Sequence, residues 1–362
     1  MSLLKSWLRT ALVNTVVLLV LVCLIILLPP AVLDVYKRLT AAPDARAAMP
    51  NYAGVTWAQT HFQEFNALRT VYHDFIGWRR APVSGQTITI DANGYRRHPG
   101  SAEPERAEIW VFGGSTVWGP GVSDAMTIPA YLQQFSASPT FNFGEAAYTA
   151  HQSYNLLIKS YLAGGMPKTV VFYDGANEVV IKCRTELNHF SAAQEVTIRE
   201  RLQGVSNGAS SALEVFAPTL EALRRFSQWR GKASAATSPE AFDCHTNETK
   251  RKRIAAALVL DWRLAQQLVE QNGGRFLAVL QPISYTGKPN LEHLQAVRQD
   301  TLLRSQYDAV YTEIGKQLRD ARLPYADLTA AFDAQDLLYI DFAHVSPQGN
   351  QIIGQRIAEL LR

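Results

Sequence analysis

The stretch that decides the fold is EIWVFGGSTVWGPG, residues 108–121. Its apolar run Ile109–Phe112 predicts a buried strand, and the two glycines that follow end this strand in a tight turn. Ser115 and Thr116 then stand where a helix can begin. Because α/β proteins bind ligands where strand-end loops converge at the carboxyl edge of the sheet, Ser115 is the first candidate for chemistry.

Three kinds of site use a turn of this type. A phosphate-binding P-loop requires GxxxxGK, but Pro120 and Gly121 follow Gly119, so the lysine is missing. A dinucleotide fingerprint requires GxGxxG, whereas the glycines here are adjacent. The remaining interpretation is a serine nucleophile, and it requires a base, an orienting acid and oxyanion donors at other strand ends.

Composition limits the class of protein. The chain has 362 residues, of which 47% are hydrophobic and 19% charged, which is enough for one large α/β domain with additions. The net charge of +3 is too small to indicate a nucleic-acid partner. The dense basic run Lys250–Arg253 is typical of the solvated first turns of a helix.

The N-terminal region predicts a membrane anchor. Residues 11–28 carry no charge, and the apolar character continues past Pro29 and Pro30 to residue 33. The alternative is a cleavable signal peptide, whose apolar region is shorter, about 7 to 15 residues, and ends at small residues. We therefore expect a short tail at 1–10 and a single transmembrane helix at 11–33. Basic residues flank the span on both sides, so charge does not decide its orientation.

The cysteines leave one structural question open. Outside the apolar span the chain has only Cys183 and Cys244, which can form a disulfide in an oxidising compartment or remain two buried thiols. No Cys or His spacing indicates a metal site.

The region 34–107 is predicted to be a linker followed by a small lobe. A helix is expected near Trp57–Tyr72, and alternating Thr and Ile before Asn93-Gly94 predict a hairpin. Arg96 and Arg97 follow that turn and are expected to be solvated rather than to bind a ligand.

From residue 108 strands and helices alternate. This pattern predicts a flavodoxin-like three-layer αβα domain at 108–362 with a five-stranded parallel sheet. An irregular insertion at about 180–248, partly helical, is expected to cover the site as a lid. The expected strands are 109–112, 140–143, 169–173, 276–280 and 325–328, and the expected helices are 128–135, 154–163, 249–272, 290–321 and 347–361.

Residues suited to the remaining roles follow the other strands. Gly144 can turn its amide toward a neighbouring turn, and Asn177 places a carboxamide at a strand tip. Asp341 precedes His344 by three residues on a turn, so its carboxylate can bind the imidazole Nδ1 and leave Nε2 to face a serine. Each feature taken alone also fits an ordinary strand end, helix cap or surface turn.

Together these segments resemble the four blocks of the SGNH, or GDSL-like, hydrolase superfamily. The matching segments are GGST at 113–116, NFG at 142–144, GANE at 175–178 and DFAH at 341–344. The segment DANGYR at 91–96 also resembles one found upstream in membrane-linked bacterial members. Gly114 departs from the family's Asp, and Glu178 replaces the Asp that commonly follows the Asn.

The resemblance implies a role for each matched residue. Ser115 is the nucleophile, His344 the general base and then acid, and Asp341 orients the imidazole. The amides of Ser115 and Gly144, with the Asn177 side chain, form the oxyanion hole. No metal or organic cofactor is implied.

The function that follows is a serine esterase acting through an acyl-enzyme, which removes acetyl or similar groups from a cell-envelope or extracellular saccharide. Its partners are an acylated saccharide or small ester and the membrane, with the domain in the bacterial periplasm. Trp118, Tyr148 and Tyr173 near the site offer aromatic rings for a sugar or belong to the core. The alternatives are an O-acyltransferase with the same triad and a non-catalytic saccharide-binding or assembly protein.

Overall fold

The computed structural model describes residues 43–206, 241–333 and 336–362, together with Trp7 and parts of the segment 11–32. The chain forms two compact units. One contains Met1–Pro43 and Thr197–Glu240, and the other contains Asp44–Val196 and Ala241–Arg362. The candidate site lies in the second unit.

In the first unit, residues 11–18 and 20–22 are helical. Among the residues that the structure describes, no helix is both long and apolar enough to cross a bilayer. The predicted anchor at 11–33 includes residues outside the described ranges and stays a prediction.

The small lobe, residues 44–107 at the start of the second unit, has one α-helix, two short antiparallel ribbons and three short 3₁₀ helices. The predicted helix ends earlier than expected, because residues 70–73 pair with 77–80 as a hairpin instead of continuing it. The turn at Asn93-Gly94 is confirmed, since Ile90 bridges Arg96 across it. The elements are α1 (Ala58–Ala67), β1 (Thr70–His73), β2 (Gly77–Arg80), β3 (Val83–Ser84) and β4 (Thr89–Ile90).

The main sheet has five parallel strands in the order β6-β5-β7-β8-β9, which confirms the predicted flavodoxin-like arrangement. The chain leaves β5 in one direction to form β6 and returns past it to form β7. The carboxyl ends of β5 and β7 therefore border the point where strand order reverses, a usual place for a site. The strands are β5 (Ile109–Gly113), β6 (Thr140–Asn142), β7 (Thr169–Asp174), β8 (Arg275–Leu280) and β9 (Ala326–Asp327).

Helices cover both faces of this sheet. On one side α3 packs against α10, and on the other α7 packs against α4 and α9. The helices are α2 (Ser115–Trp118), α3 (Ile128–Ser136), α4 (Ala150–Gly164), α5 (Ala176–Val180), α6 (Glu195–Ser206), α7 (Glu248–Gln271), α8 (Gln295–Gln299), α9 (Thr301–Asp320) and α10 (Pro347–Leu361).

Strand β5 shows why both faces are apolar. All five of its residues are buried, and successive side chains point to opposite faces. Ile109 and Val111 join an aliphatic core with α3 and α10. Trp110 and Phe112 point the other way, where Phe112 stacks on Phe143 with ring centroids 4.5 Å apart.

Two predicted regions differ in detail. The expected helix at 290–321 is interrupted at Asp300, whose side chain accepts a hydrogen bond from the Leu303 amide (2.8 Å) and so caps a new helix, α9. Within the insertion, Arg184 and Phe242 form an antiparallel bridge. The insertion at about 180–248 was expected to act as a lid, and its residues 207–240 lie outside the described residues, so the lid stays a prediction.

Candidate active site

Ser115 lies at the first position of α2, directly after the turn that ends β5. The two preceding residues are glycine because neighbouring atoms leave no room for a side chain. A Cβ at Gly113 would overlap the Tyr173 carbonyl oxygen, and a Cβ at Gly114 would overlap Asn177 Nδ2. The turn therefore brings Ser115 against the end of β7.

The three predicted triad residues meet, although 229 positions separate Ser115 from His344. His344 Nε2 lies 2.7 Å from Ser115 Oγ. His344 Nδ1 lies 2.7 Å from Asp341 Oδ2. Because a carboxylate only accepts, Nδ1 carries a proton and Nε2 is left to accept the serine hydroxyl proton.

Asp341 is fixed by the turn on which it lies. Its Oδ1 accepts hydrogen bonds from the amides of Ala343 and His344, both at 2.8 Å. Burial acts to raise the pKa of this carboxyl, but the charge of His344 and these hydrogen bonds outweigh it and hold the pKa below its usual value. Asp341 is therefore ionised and orients the imidazole.

Although protein atoms surround Asp341 closely, parts of the triad side chains are exposed to solvent. The side chain of His344 is 20% exposed and that of Asp341 is 43% exposed. Solvent can therefore reach the imidazole.

Asn177 borders the turn that carries Ser115. Its Nδ2 donates to the Tyr148 carbonyl at 2.7 Å, and the same nitrogen borders Gly114, the residue before the serine. A carboxamide nitrogen has two hydrogens, so one remains to stabilise charge beside Ser115.

The Gly144 amide does not have the role assigned to it from the sequence. It donates to Asn142 Oδ1 at 2.9 Å, so its hydrogen is already used. Glycine is required here for packing, because a Cβ would lie 2.6 Å from the Trp118 amide nitrogen and 2.8 Å from Val117 Cβ. Gly144 thus allows its loop to pack closely against α2, the helix that begins with Ser115.

Ala147, in the same loop, has an unusual backbone conformation. It has φ of +63°, a conformation that non-glycine residues adopt only rarely. Among the described residues its N–H has no acceptor, while the next residue, Tyr148, provides the carbonyl that holds Asn177. Alanine carries no sequence signal for this backbone conformation, so pattern reasoning did not find it.

Glu178 connects two loops of the site. Its Oε1 accepts from the Ala150 amide at 2.7 Å and its Oε2 from the Gly175 amide at 3.1 Å. Lys182 Nζ lies 4.0 Å from Glu178 Oε1, and the side chains of Lys182 and Glu178 are both buried. The extra methylene relative to Asp lets the carboxylate bridge the starts of α4 and α5.

The aromatic residues considered for sugar stacking belong to the core. Trp118 is 0% exposed, Tyr148 1% and Tyr173 2%, so none presents a ring to a ligand. Within the described part of the chain, no group of three or more His, Cys, Asp or Glu side chains is arranged to hold a metal ion.

Cys183 and Cys244 form a disulfide with Cα atoms 5.2 Å apart, which decides between the two alternatives left open by the sequence. Cys183 follows α5, the helix that carries Asn177, and Cys244 precedes α7. The bond therefore ties together the two described ends of the insertion.

Comparison with known proteins gives structural neighbours only. No family model matches the chain. No curated protein matches it either. A protein of the G-D-S-L lipolytic family from Desulfitobacterium hafniense is 13% identical, with a TM-score of 0.40 over 70% of this chain and 98% of the other. Axe2, an acetylxylan esterase from Geobacillus stearothermophilus, is 13% identical, with a TM-score of 0.38 over 70% and 93%. A carbohydrate acetylesterase family member from Sinorhizobium meliloti is 12% identical, with a TM-score of 0.36 over 70% and 96%.

Proposed function

We propose that this protein is a serine ester hydrolase that works through an acyl-enzyme. The observation that carries the proposal is the continuous hydrogen-bonded line from Asp341 through His344 to Ser115, with both contacts at 2.7 Å. A carboxylate, an imidazole and a hydroxyl in this order make a serine nucleophilic at neutral pH.

The reaction uses each group in turn. His344 Nε2 takes the proton of Ser115 Oγ as the oxygen attacks the ester carbonyl carbon. The amides of Ser115 and Ala147 and the Asn177 carboxamide donate to the oxyanion that develops. The bond to the alcohol breaks, His344 protonates the leaving alcohol, and a water molecule then releases the acid from Ser115 by the same steps.

The substrate we propose is a small acyl group, such as acetyl, on a saccharide of the cell envelope. The exposure of His344 and Asp341 supports an alcohol portion that is large and stays outside the protein. The same exposure gives water access to an acyl-enzyme, which favours hydrolysis over transfer to another hydroxyl.

Attachment to a bacterial inner membrane through residues 11–33, with the domain in the periplasm, belongs to the same proposal. The apolar composition of that segment supports the anchor. The disulfide between Cys183 and Cys244 supports an oxidising compartment.

Hydrolysis of p-nitrophenyl acetate by the full chain in detergent tests the activity. We expect Ser115→Ala to lower kcat by at least about 1000-fold, because the residual rate comes from binding and oxyanion donors alone. Ser305→Ala, on the outer part of α9, should retain the wild-type rate. Equal rates for Ser115→Ala and wild type would contradict the proposal.

Mass spectrometry of an acetylated xylo-oligosaccharide tests the substrate class. We expect time-dependent loss of acetyl groups with wild type and none with Ser115→Ala. Gain of acetyl on an unmodified oligosaccharide in the presence of a donor ester would identify a transferase instead.

A further inference from the structure

The segment that follows the nucleophile helix is held by the small lobe in an unusual way. Residues 118–122 present five consecutive carbonyl oxygens, and each accepts a hydrogen bond from a lobe side chain. Arg96 donates to three of these carbonyls, those of Trp118 (3.0 Å), Gly119 and Val122 (2.6 Å). His61 donates to the Pro120 carbonyl at 2.8 Å. Tyr52 donates to the Gly121 carbonyl at 2.5 Å.

These donors are buried. Tyr52 is 2% exposed, His61 0% and Arg96 1%. Burial lowers the pKa of His61 to about 4, with a smaller contribution from the charge of Arg96, so the ring is neutral and its Nε2 hydrogen serves the Pro120 carbonyl. Arg96 also pairs with Asp124 at 2.9 Å.

Strand β2 of the lobe holds the second loop of the site, which we call the oxyanion loop (Gly144–Tyr148). Trp78 Nε1 donates to the Ala146 carbonyl at 3.0 Å, and the Trp78 carbonyl accepts from the Tyr148 hydroxyl at 2.5 Å. These two bonds hold the residues immediately before and after Ala147.

Glu145 adds a charged link between the same strand and the oxyanion loop. It is 0% exposed, accepts from the Arg80 amide at 3.1 Å and lies 3.9 Å from Arg79 Nε. Arg79 in turn donates to the Gly144 carbonyl at 3.4 Å. Burying such groups costs desolvation free energy that an apolar contact between lobe and sheet would avoid.

We propose that the small lobe is part of the active site, and that Tyr52, Arg96 and Trp78 are positioning residues. They fix the segment 118–122, at the end of the helix that begins with Ser115, and the oxyanion loop relative to each other. This inference rests on the proposed esterase function. Residues 119–122 and the oxyanion loop have no regular structure to set their positions. Oxyanion donors are effective only when they lie within a few tenths of an ångström of the required position. Hydrogen bonds from the lobe therefore set the positions of both segments.

Two substitutions that remove a single donor test the proposal. Tyr52→Phe removes one hydroxyl and keeps the ring. Trp78→Phe removes the N–H and keeps an aromatic side chain, although a smaller one. We expect kcat for p-nitrophenyl acetate to fall about 10-fold or more in each, because displacement by about 1 Å costs up to 100-fold. KM and the pH at which kcat is half-maximal should stay at the wild-type values, because the triad itself is unchanged.

Tyr72→Phe is the matched control, since Tyr72 lies in the same lobe but is 64% exposed. It should leave kcat unchanged. Arg96 provides a second test if either aromatic variant does not fold: Arg96→Lys keeps the charge and one donor group, and should retain more kcat than Arg96→Met.

The outcomes separate the two proposals. If Ser115→Ala is inactive while folded Tyr52→Phe and Trp78→Phe have wild-type kcat, the positioning role is overturned and the esterase function stands. If Ser115→Ala retains the wild-type rate, the esterase function itself fails. Loss of kcat in both lobe variants at unchanged KM and pH profile supports the positioning role.

Discussion

Gly114 stands where the SGNH family, which this chain resembles, carries an Asp. The structure gives a reason for the exchange, because a Cβ at this residue would overlap Asn177 Nδ2 and lie 3.2 Å from the Tyr148 carbonyl oxygen. In this chain the space beside the nucleophile is taken by the carboxamide. The glycine is therefore needed for Asn177 to lie next to Ser115.

We predict that Gly114→Asp, which restores the family residue, lowers activity instead of raising it. Asn177 must move to admit the side chain, and loss of one oxyanion donor costs about 100- to 1000-fold in kcat. Gly114→Ala should show most of the same loss in the p-nitrophenyl acetate assay. Gly315→Ala is the control, because its Cβ would meet only the end of the flexible Arg319 side chain at 3.3 Å. Wild-type kcat in Gly114→Ala would refute this account of the turn.

At the scale of single residues, the sequence identifies side chains better than backbone groups. Ser115, Asp341 and His344 were predicted from residue type and spacing, and they lie within hydrogen-bond distance of one another. The Gly144 amide was not predictable, because its use depends on the rotamer of Asn142. The prediction that Arg96 is solvated is wrong, because this side chain is 1% exposed. Three of its acceptors are backbone carbonyls more than 20 positions away, which no local pattern indicates.

Among the elements, the end of β7 carries a carboxyl group that is buried in the core. Asp174 is 2% exposed, and its Oδ2 accepts from Trp262 Nε1 at 3.1 Å. Burial, followed by the nearby Glu178 carboxylate, raises the pKa of Asp174 well above its usual value. At pH values between about 4 and this raised pKa, Asp174 is therefore protonated in the folded protein and ionised in the unfolded chain.

We predict that Asp174→Asn changes how stability depends on pH. The unfolded Asp releases its proton above about pH 4, and the raised folded pKa makes wild-type stability fall as pH rises from there toward that pKa. Asn does not titrate, so its free energy of unfolding lacks this decrease. The difference in free energy of unfolding, Asp174→Asn minus wild type, should therefore increase as pH rises from about 4 toward the raised pKa. Urea unfolding at a series of pH values measures the difference. Asp320→Asn, on the exposed end of α9, should parallel wild type, and a parallel curve for Asp174→Asn would contradict the prediction.

Elements with a strong apolar pattern were predictable, and those decided by local polar contacts were not. The main-sheet strands and helix α10 lie close to their predicted positions. Burial on one or both faces gives each of them a regular spacing of apolar residues, which the sequence shows. The break at Asp300 depends on one capping hydrogen bond. The hairpin at 70–80 was missed because β-branched and aromatic residues there continue a helical apolar pattern from α1.

For the whole molecule, the disulfide is the strongest single constraint on the unfolded chain. It joins residues 61 positions apart and thus closes a long loop. We predict that the double variant Cys183→Ser and Cys244→Ser loses about 4 kcal/mol in the free energy of unfolding, by the chain-entropy estimate. Urea unfolding measures the loss, and wild type treated with dithiothreitol should approach the same midpoint. An unchanged midpoint under reductant would show that the bond adds no stability.

The distance in sequence between Ser115 and His344 has a consequence for the order of events during synthesis. A ribosome makes the chain from the N-terminus, so Ser115 leaves the exit tunnel 229 residues before His344 does, and the small lobe leaves it earlier still. Until β9 and the turn before α10 have formed, the serine has no base and remains an ordinary alcohol. The chemistry is thereby delayed until the last segment of the domain has folded.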